Sequence, residues 1–227
     1  MRFLLALLLA AMPLSPAMAQ GSWATSPRAE RLQQLFDAVR EGRAAEAIDL
    51  ADPILAEYEK TYPAGIRVFC IGDMNDLPLY LDAAKGVERS EMIAIDTGWC
   101  FALWAKGYAL VDLHRIDEAV PFLERAVAME PINSQYLSEL GNAYQELKQF
   151  DKALAVFTRA ADAAQRLQGD HRVHWLTRAW RGMGFSLIEL RRWDEAEALY
   201  RQCLELDPND AKAKNELAYI AQQRPKR

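Results

Sequence analysis

Few residues in this 227-residue chain are placed to do chemistry. The clustered imidazoles are His171 and His174, with Asp170 beside them. A His-x-x-His pair falls on one face of a helix and can hold zinc if a third ligand arrives from elsewhere. This pair lies in an excess of residues between two repeating segments, so the expectation is an inter-helix loop at 168–176 with surface histidines and no metal site. His114 has no neighbour that suggests a site. Three cysteines occur, Cys70, Cys100 and Cys203, and an odd number leaves at least one free thiol or an intermolecular bond. Cys203 falls at a small, packed helical position, where an unreactive thiol is expected. Cys70 and Cys100 are the candidate disulfide, closing a loop of about thirty residues and contributing roughly 3–4 kcal/mol if unstrained. There is no Gly-rich phosphate loop, no Gly-x-Ser-x-Gly elbow and no paired-cysteine metal spacing. The expectation is a protein with no catalytic residues, no cofactor and no metal.

The elements that must position these side chains follow a pattern written three times between Cys100 and Pro208. Its anchors are Gly107, Gly141 and Gly184, each followed twelve residues later by Ala119, Ala153 and Ala196. A first helix presents a large apolar residue, Leu103, Leu137 or Trp180, and then the glycine four later on the same face, where a neighbouring helix can approach closely. A turn follows, His114 to Asp117, Lys148 to Asp151 and Arg191 to Asp194, ending in an aspartate suited to cap the next helix. Leu123, Phe157 and Tyr200, four residues beyond each alanine, fill the space the small residues leave. Pro131 and Pro208 stop the second helices.

This pattern resembles the tetratricopeptide repeat family. The resemblance implies an all-α fold, a right-handed α-α superhelix, with repeats at 100–133, 134–167 and 177–210 and a capping helix and tail at 211–227. It also implies that the first helix of each repeat lines a concave groove for a partner. Phe101, Trp104 and Tyr108 would come from the first copy, Gln135, Ser138, Asn142 and Gln145 from the second, and Arg178, Arg181 and Phe185 from the third. Asn142 stands where co-chaperone-type members of the family hold a bound peptide, whereas Trp104 and Tyr108 stand where a carboxylate clamp would need Lys and Asn. The expected occupant is an extended or helical segment of a protein, held by amide hydrogen bonds and by one acidic group near the arginines. A competing reading buries Phe101, Trp104 and Tyr108 under the N-terminal hairpin or the insertion as core.

Ahead of the repeats, Arg2, the apolar run Phe3 to Ala11 and the Ala17-Met18-Ala19 site read as a secretory signal peptide over 1–19, cleaved after Ala19. The mature chain is then expected in the periplasm or outside the cell. Residues 20–63 read as a helical hairpin, a degenerate repeat, with the stripe Leu32, Leu35, Phe36 and Val39, a turn at Glu41-Gly42-Arg43 and Ala47 as the small residue. Pro53 implies a kink or a restart capped by Asp52. Residues 64–99 break the pattern as an insertion or linker. Ile66 to Ile71 and Met92 to Ile95 suit strands, and Leu77 to Lys85 suits a helix ending at Gly86, although an entirely helical reading stays open.

A formal net charge of −5 with 26% charged residues makes a poor nucleic-acid binder. No second apolar run is long enough to insert in a membrane after cleavage. Together these features imply an exported, non-catalytic interaction scaffold or adaptor that binds a peptide segment of a partner protein. The alternatives are a self-associating envelope protein, a homo-oligomer, and a metal-binding or enzymatic role centred on the insertion with Asp76, Glu91, His171 or His174.

Overall fold

A computed structural model describes residues 26–62, 65–83 and 92–224. The signal segment 1–19, the helix stop at Gly86, Glu91 and the last three residues lie outside the described residues. Ten α-helices and one two-stranded sheet are present among the described residues. Helices α1 (Pro27–Arg40) and α2 (Ala44–Thr61) form an N-terminal hairpin. Three further hairpins follow: α4 (Gly98–Asp112) with α5 (Ile116–Met129), α6 (Ser134–Glu146) with α7 (Phe150–Ala164), and α8 (Gly169–Glu189) with α9 (Trp193–Leu206). Helix α10 (Ala211–Gln223) closes the stack. Apart from α3, each helix packs on the next along the chain, and α2 packs directly on α4, skipping the segment between them. The fold is an all-α superhelix with a small insertion.

All four hairpins close in the same way. Gly42, His114, Lys148 and Arg191 sit at positive φ, between 57° and 71°. In each turn the residue after the left-handed one donates its N–H five residues back, as from Arg115 to the Leu110 carbonyl at 2.9 Å and from Arg192 to the Leu187 carbonyl at 2.8 Å. This is the Schellman closure, which satisfies the last carbonyls of a helix. The N-terminal hairpin therefore shares the turn of the other three, with Ala47 five residues beyond Gly42 as Ala119 is beyond His114. The aspartates expected to cap do not cap. Arg115, Gln149 and Arg192 occupy the cap positions, and Asp117, Asp151 and Asp194 lie in the first turn, where they meet the positive end of the helix dipole.

The glycine anchors show what the spacing is for. A Cβ on Gly107 would lie 2.7 Å from Leu123, on Gly141 2.7 Å from Phe157, and on Gly184 2.7 Å from Tyr200. The bulky residue of the second helix rests on the bare backbone of the first, and burying each such side chain contributes roughly 2 kcal/mol. Pro53 does not restart α2, which continues through it as one helix. The proline and the residue whose carbonyl it frees, Asp49, both face solvent, so water satisfies the lost bond.

Residues 168–176 are not a loop. Gln168 is extended, Gly169 turns the chain at φ 54°, and α8 then runs on for 21 residues. Asp170 in its first turn suits the helix dipole, and the apolar face continues through Leu176, which is buried. The insertion is a strand-helix-strand unit. Strand β1 (Arg67–Cys70) pairs in parallel with β2 (Met92–Ile95), Val68 opposite Ile93, and a short 3-10 turn (Met74–Asp76) leads into α3 (Leu77–Ala83) between them. Parallel pairing needs such a crossover. Cys70 and Cys100, both fully buried, are joined by a disulfide that ties the end of β1 to the first turn of α4.

Candidate functional site

The first helices of the hairpins, α1, α4, α6 and α8, together with α10, touch one another in succession along one face of the stack. On α4, Phe101 lies 6.2 Å from Phe36 and 5.7 Å from Trp104, and Trp104 stacks 5.4 Å from Tyr108 and 5.7 Å from Tyr136. Trp104 is buried, while Phe101 and Tyr108 are half-buried. The aromatics expected at the groove thus form one contiguous cluster with Phe36 of α1 and Tyr136 of α6, and Trp104 belongs to the core. Ser138 is also withdrawn from the surface. It is fully buried, and its hydroxyl donates to the Ser134 carbonyl at 2.7 Å, because its face of α6 is covered by neighbouring helices.

The remaining candidates divide between two places. Gln135 lies at the rim of a 240 Å³ pocket beside the insertion. Asn142, Gln145, Arg178, Arg181 and Phe185 all line a single 560 Å³ cavity between α6, α8 and α10. Gln145 donates its amide to the Gly182 carbonyl at 2.8 Å and to Ser186 Oγ at 2.9 Å, fixing α6 against α8. Phe185 stays exposed at the mouth, edge-on to Phe150. A neighbouring 520 Å³ hollow shares His174, Arg181 and Lys212, so the two form a continuous polar cleft.

The arginines in this cleft are not free cations. Arg178 donates to Glu139 Oε1 at 2.6 Å, and Arg181 donates to Asp210 Oδ2 at 2.5 Å. Asn142 donates to the other Glu139 oxygen at 3.2 Å. Burial outweighs the pull of Arg178 and leaves the Glu139 carboxyl above the usual carboxylate range. Sequence reasoning missed Glu139, Asp210 and the α10 contributors Lys212 and Asn215. Asp210 had a legible signal, since it precedes the apolar run of α10 as a capping residue and accepts from the Ala213 N–H at 3.0 Å. Glu139 had none, because its partner lies 39 residues away.

His174 packs edge-on against Trp175, and burial followed by the charges of Arg178 and Arg181 holds its imidazole below the ordinary value. A cation at this imidazole would be opposed by the same two arginines. Among the described residues no three His, Cys, Asp or Glu side chains are grouped to hold a metal ion. Cys203 is buried, and burial pushes its thiol up to about 12, so it is neither nucleophile nor ligand at neutral pH.

Residues 133–209 match a tetratricopeptide repeat family model, and residues 102–133 match a second one. The chain contains tetratricopeptide repeats. Human RNA polymerase II-associated protein 3 is 28% identical over 130 residues, which is 57% of this chain but 18% of that protein. The chain therefore spans less than a fifth of that curated relative. The first tetratricopeptide domain of Spaghetti (RPAP3), solved with the HSP90 peptide SRMEEVD, is 27% identical, with a TM-score of 0.50 over 56% of this chain and 94% of that one. MamA MSR-1 C2 covers 86% of both chains with a TM-score of 0.56 at 21% identity, a likeness of fold. The repeat family is in general a non-catalytic interaction fold, and the cleft between α6, α8 and α10 lies on the face formed by the first helices of its repeats.

Proposed function

We propose that this chain is a non-catalytic scaffold that holds a peptide segment of a partner protein in the cleft between α6, α8 and α10. The observation that carries the reading is the 560 Å³ cavity, in which amides from Asn142, Gln145 and Asn215 meet the paired arginines and the exposed ring of Phe185. Amides hydrogen-bond an extended backbone, and Phe185 offers an apolar seat. Lys212, exposed at the first turn of α10, supplies a cation for one acidic side chain or terminal carboxylate. A domain similar to these repeats was solved with the acidic HSP90 peptide SRMEEVD, which supports a peptide as the kind of occupant. Export through residues 1–19 belongs to the same proposal, and the N-terminal sequence of the protein recovered from a periplasmic extract tests it.

Selection of a peptide library against the full chain tests the groove. Phe185→Ala and Lys212→Glu change exposed side chains and leave the ion pairs intact. Each is expected to weaken the selected peptides about tenfold, the size of one charge-assisted or apolar anchor. Peptides held equally by both variants would place the binding surface elsewhere.

A further inference from the structure

The face formed by the first helices carries more than the cleft. Phe36 of α1 is 47% exposed, and Phe101 and Tyr108 of α4 continue the same aromatic cluster in half-buried positions. Arg40 lies 5.9 Å from the Phe36 ring, but its guanidinium is already paired with Asp37. The result is an apolar shelf with an open edge on α1 and α4. Its other edge meets the cleft. The charges of Glu139 and Arg178 both act on the Tyr108 hydroxyl. Arg178 and Asn142, the two donors to Glu139, line the 560 Å³ cavity. Shelf and cleft are therefore continuous across α4, α6 and α8, which touch in that order.

Two charges on this face have no ion pair. Asp112 lies exposed four residues beyond Tyr108, on the same face of α4, and its charge acts on Tyr108 and on Glu139. Among the described residues no cation is paired with it, and the His114 imidazole alone offsets its partial desolvation. Lys212 is exposed on α10 and likewise unpaired among the described residues, although Glu216 lines the same cavity four residues on. Arg178 and Arg181, by contrast, are neutralised by Glu139 and Asp210. Along the face the order is thus aromatic, negative, then positive. From α4 to α10 there are three steps between contacting helices. At about 9 Å each they total about 27 Å, which an extended chain covers in about eight residues.

We propose that the partner segment is extended and dipolar, with a bulky apolar residue seated on Phe36 and Phe101, a Lys or Arg beside it at Asp112, and an Asp or Glu about eight residues away at Lys212. This rests on the groove reading above and names the residue pattern that the groove selects. Opposite charges at its two ends give the segment one favoured placement, because exchanging them sets like charges together.

Two libraries of acetylated and amidated ten-residue peptides test it, captured on the full chain and then measured by fluorescence anisotropy. The first fixes Phe-Lys at one end and Glu at the other, and the second fixes Phe-Glu and Lys; each is made in both chain directions with the remaining positions random. The first is expected to yield ligands about tenfold tighter than the second, an advantage that shrinks as salt is raised. The double variant Asp112→Lys, Lys212→Glu should reverse that preference, which an unfolded chain could not do. Phe36→Ala should weaken the first set about tenfold and keep its charge preference. Equal binding of both charge orders, a preference that the double variant leaves unchanged, or ligands held as tightly by Phe36→Ala would overturn the inference and leave the groove reading standing. Capture of no peptide from either library would overturn both.

Discussion

The carboxylate of Asp210 accepts from Arg181 Nη1 at 2.5 Å with one oxygen and from the Ala213 N–H at 3.0 Å with the other. A single buried side chain thus joins the floor of the groove on α8 to the start of α10. Arg181→Met leaves that carboxylate unpaired, and the expected loss is roughly 3 kcal/mol. Asp210→Ala also removes a helix cap worth about 1 kcal/mol. Urea unfolding followed by circular dichroism measures both, and an Arg181→Met midpoint equal to that of the parent chain would refute the coupling.

The disulfide and the buried thiol give opposite redox signatures. Reduction under denaturing conditions should add two hydrogens to the intact mass, from Cys70 and Cys100. In the native state Cys203 should not react with a thiol reagent, because its thiol is held up at about 12 and lies out of solvent's reach. With a separation of 30 residues, the Cys70–Cys100 bond is expected to stabilise the fold by roughly 3–4 kcal/mol. The Cys70→Ser, Cys100→Ser double variant measures it, and an unchanged unfolding midpoint would count against the closure.

Glu130 gives the protein an inverted acid response. Its folded carboxyl sits at about 7, raised by burial, so the folded state binds more protons than the unfolded one between about pH 4.5 and 7. Its contribution is complete below the lower bound and is lost as pH rises through the upper one. Glu130→Gln removes the ionisation and should gain roughly 2–3 kcal/mol over the parent at pH 8, relative to the difference seen near pH 4.5. Thermal melts of the two proteins across that range decide it. A constant offset would show that Glu130 does not titrate in this window.

Phe157 occupies the space vacated by two glycines, 2.7 Å from a Cβ built on Gly141 and 2.4 Å from one on Gly182. Gly141→Ala gains about 1 kcal/mol of helix propensity but drives a methyl group into the ring, and the net expectation is a loss of about 1–2 kcal/mol. Adding Phe157→Leu relieves the clash, so the double variant should lose less than the sum of the singles. Strict additivity in a denaturation cycle would remove the proposed contact.

Gly107, Ala119 and Leu123, with their counterparts in the next two copies, were legible because helix–helix packing imposes one fixed spacing on residues within a single hairpin. The insertion was half legible. Val68, Phe69 and Ile93 suit strands, but an apolar run of four residues reads equally well as a helix until its partner strand is known. The groove was read least well. Whether Trp104 faces a ligand or a neighbour depends on Tyr136 of the next helix, and the charge of Arg178 and Arg181 depends on Glu139 and Asp210, far along the chain. Spacing within one helix carries no record of such partners. The segment 168–176 was misread for a related reason, since an excess over a repeat length can be taken up by two more turns of helix as well as by a loop.

Those extra turns give the stack a direction. At 21 residues α8 is about 31 Å long, against 13 residues for α6 and 13 for α10 on either side of it. Its overhang carries Trp175 to the pocket beside the insertion and His174 to the groove. One rod therefore borders both hollows, and a displacement along its axis at either one is delivered to the other without a hinge between them.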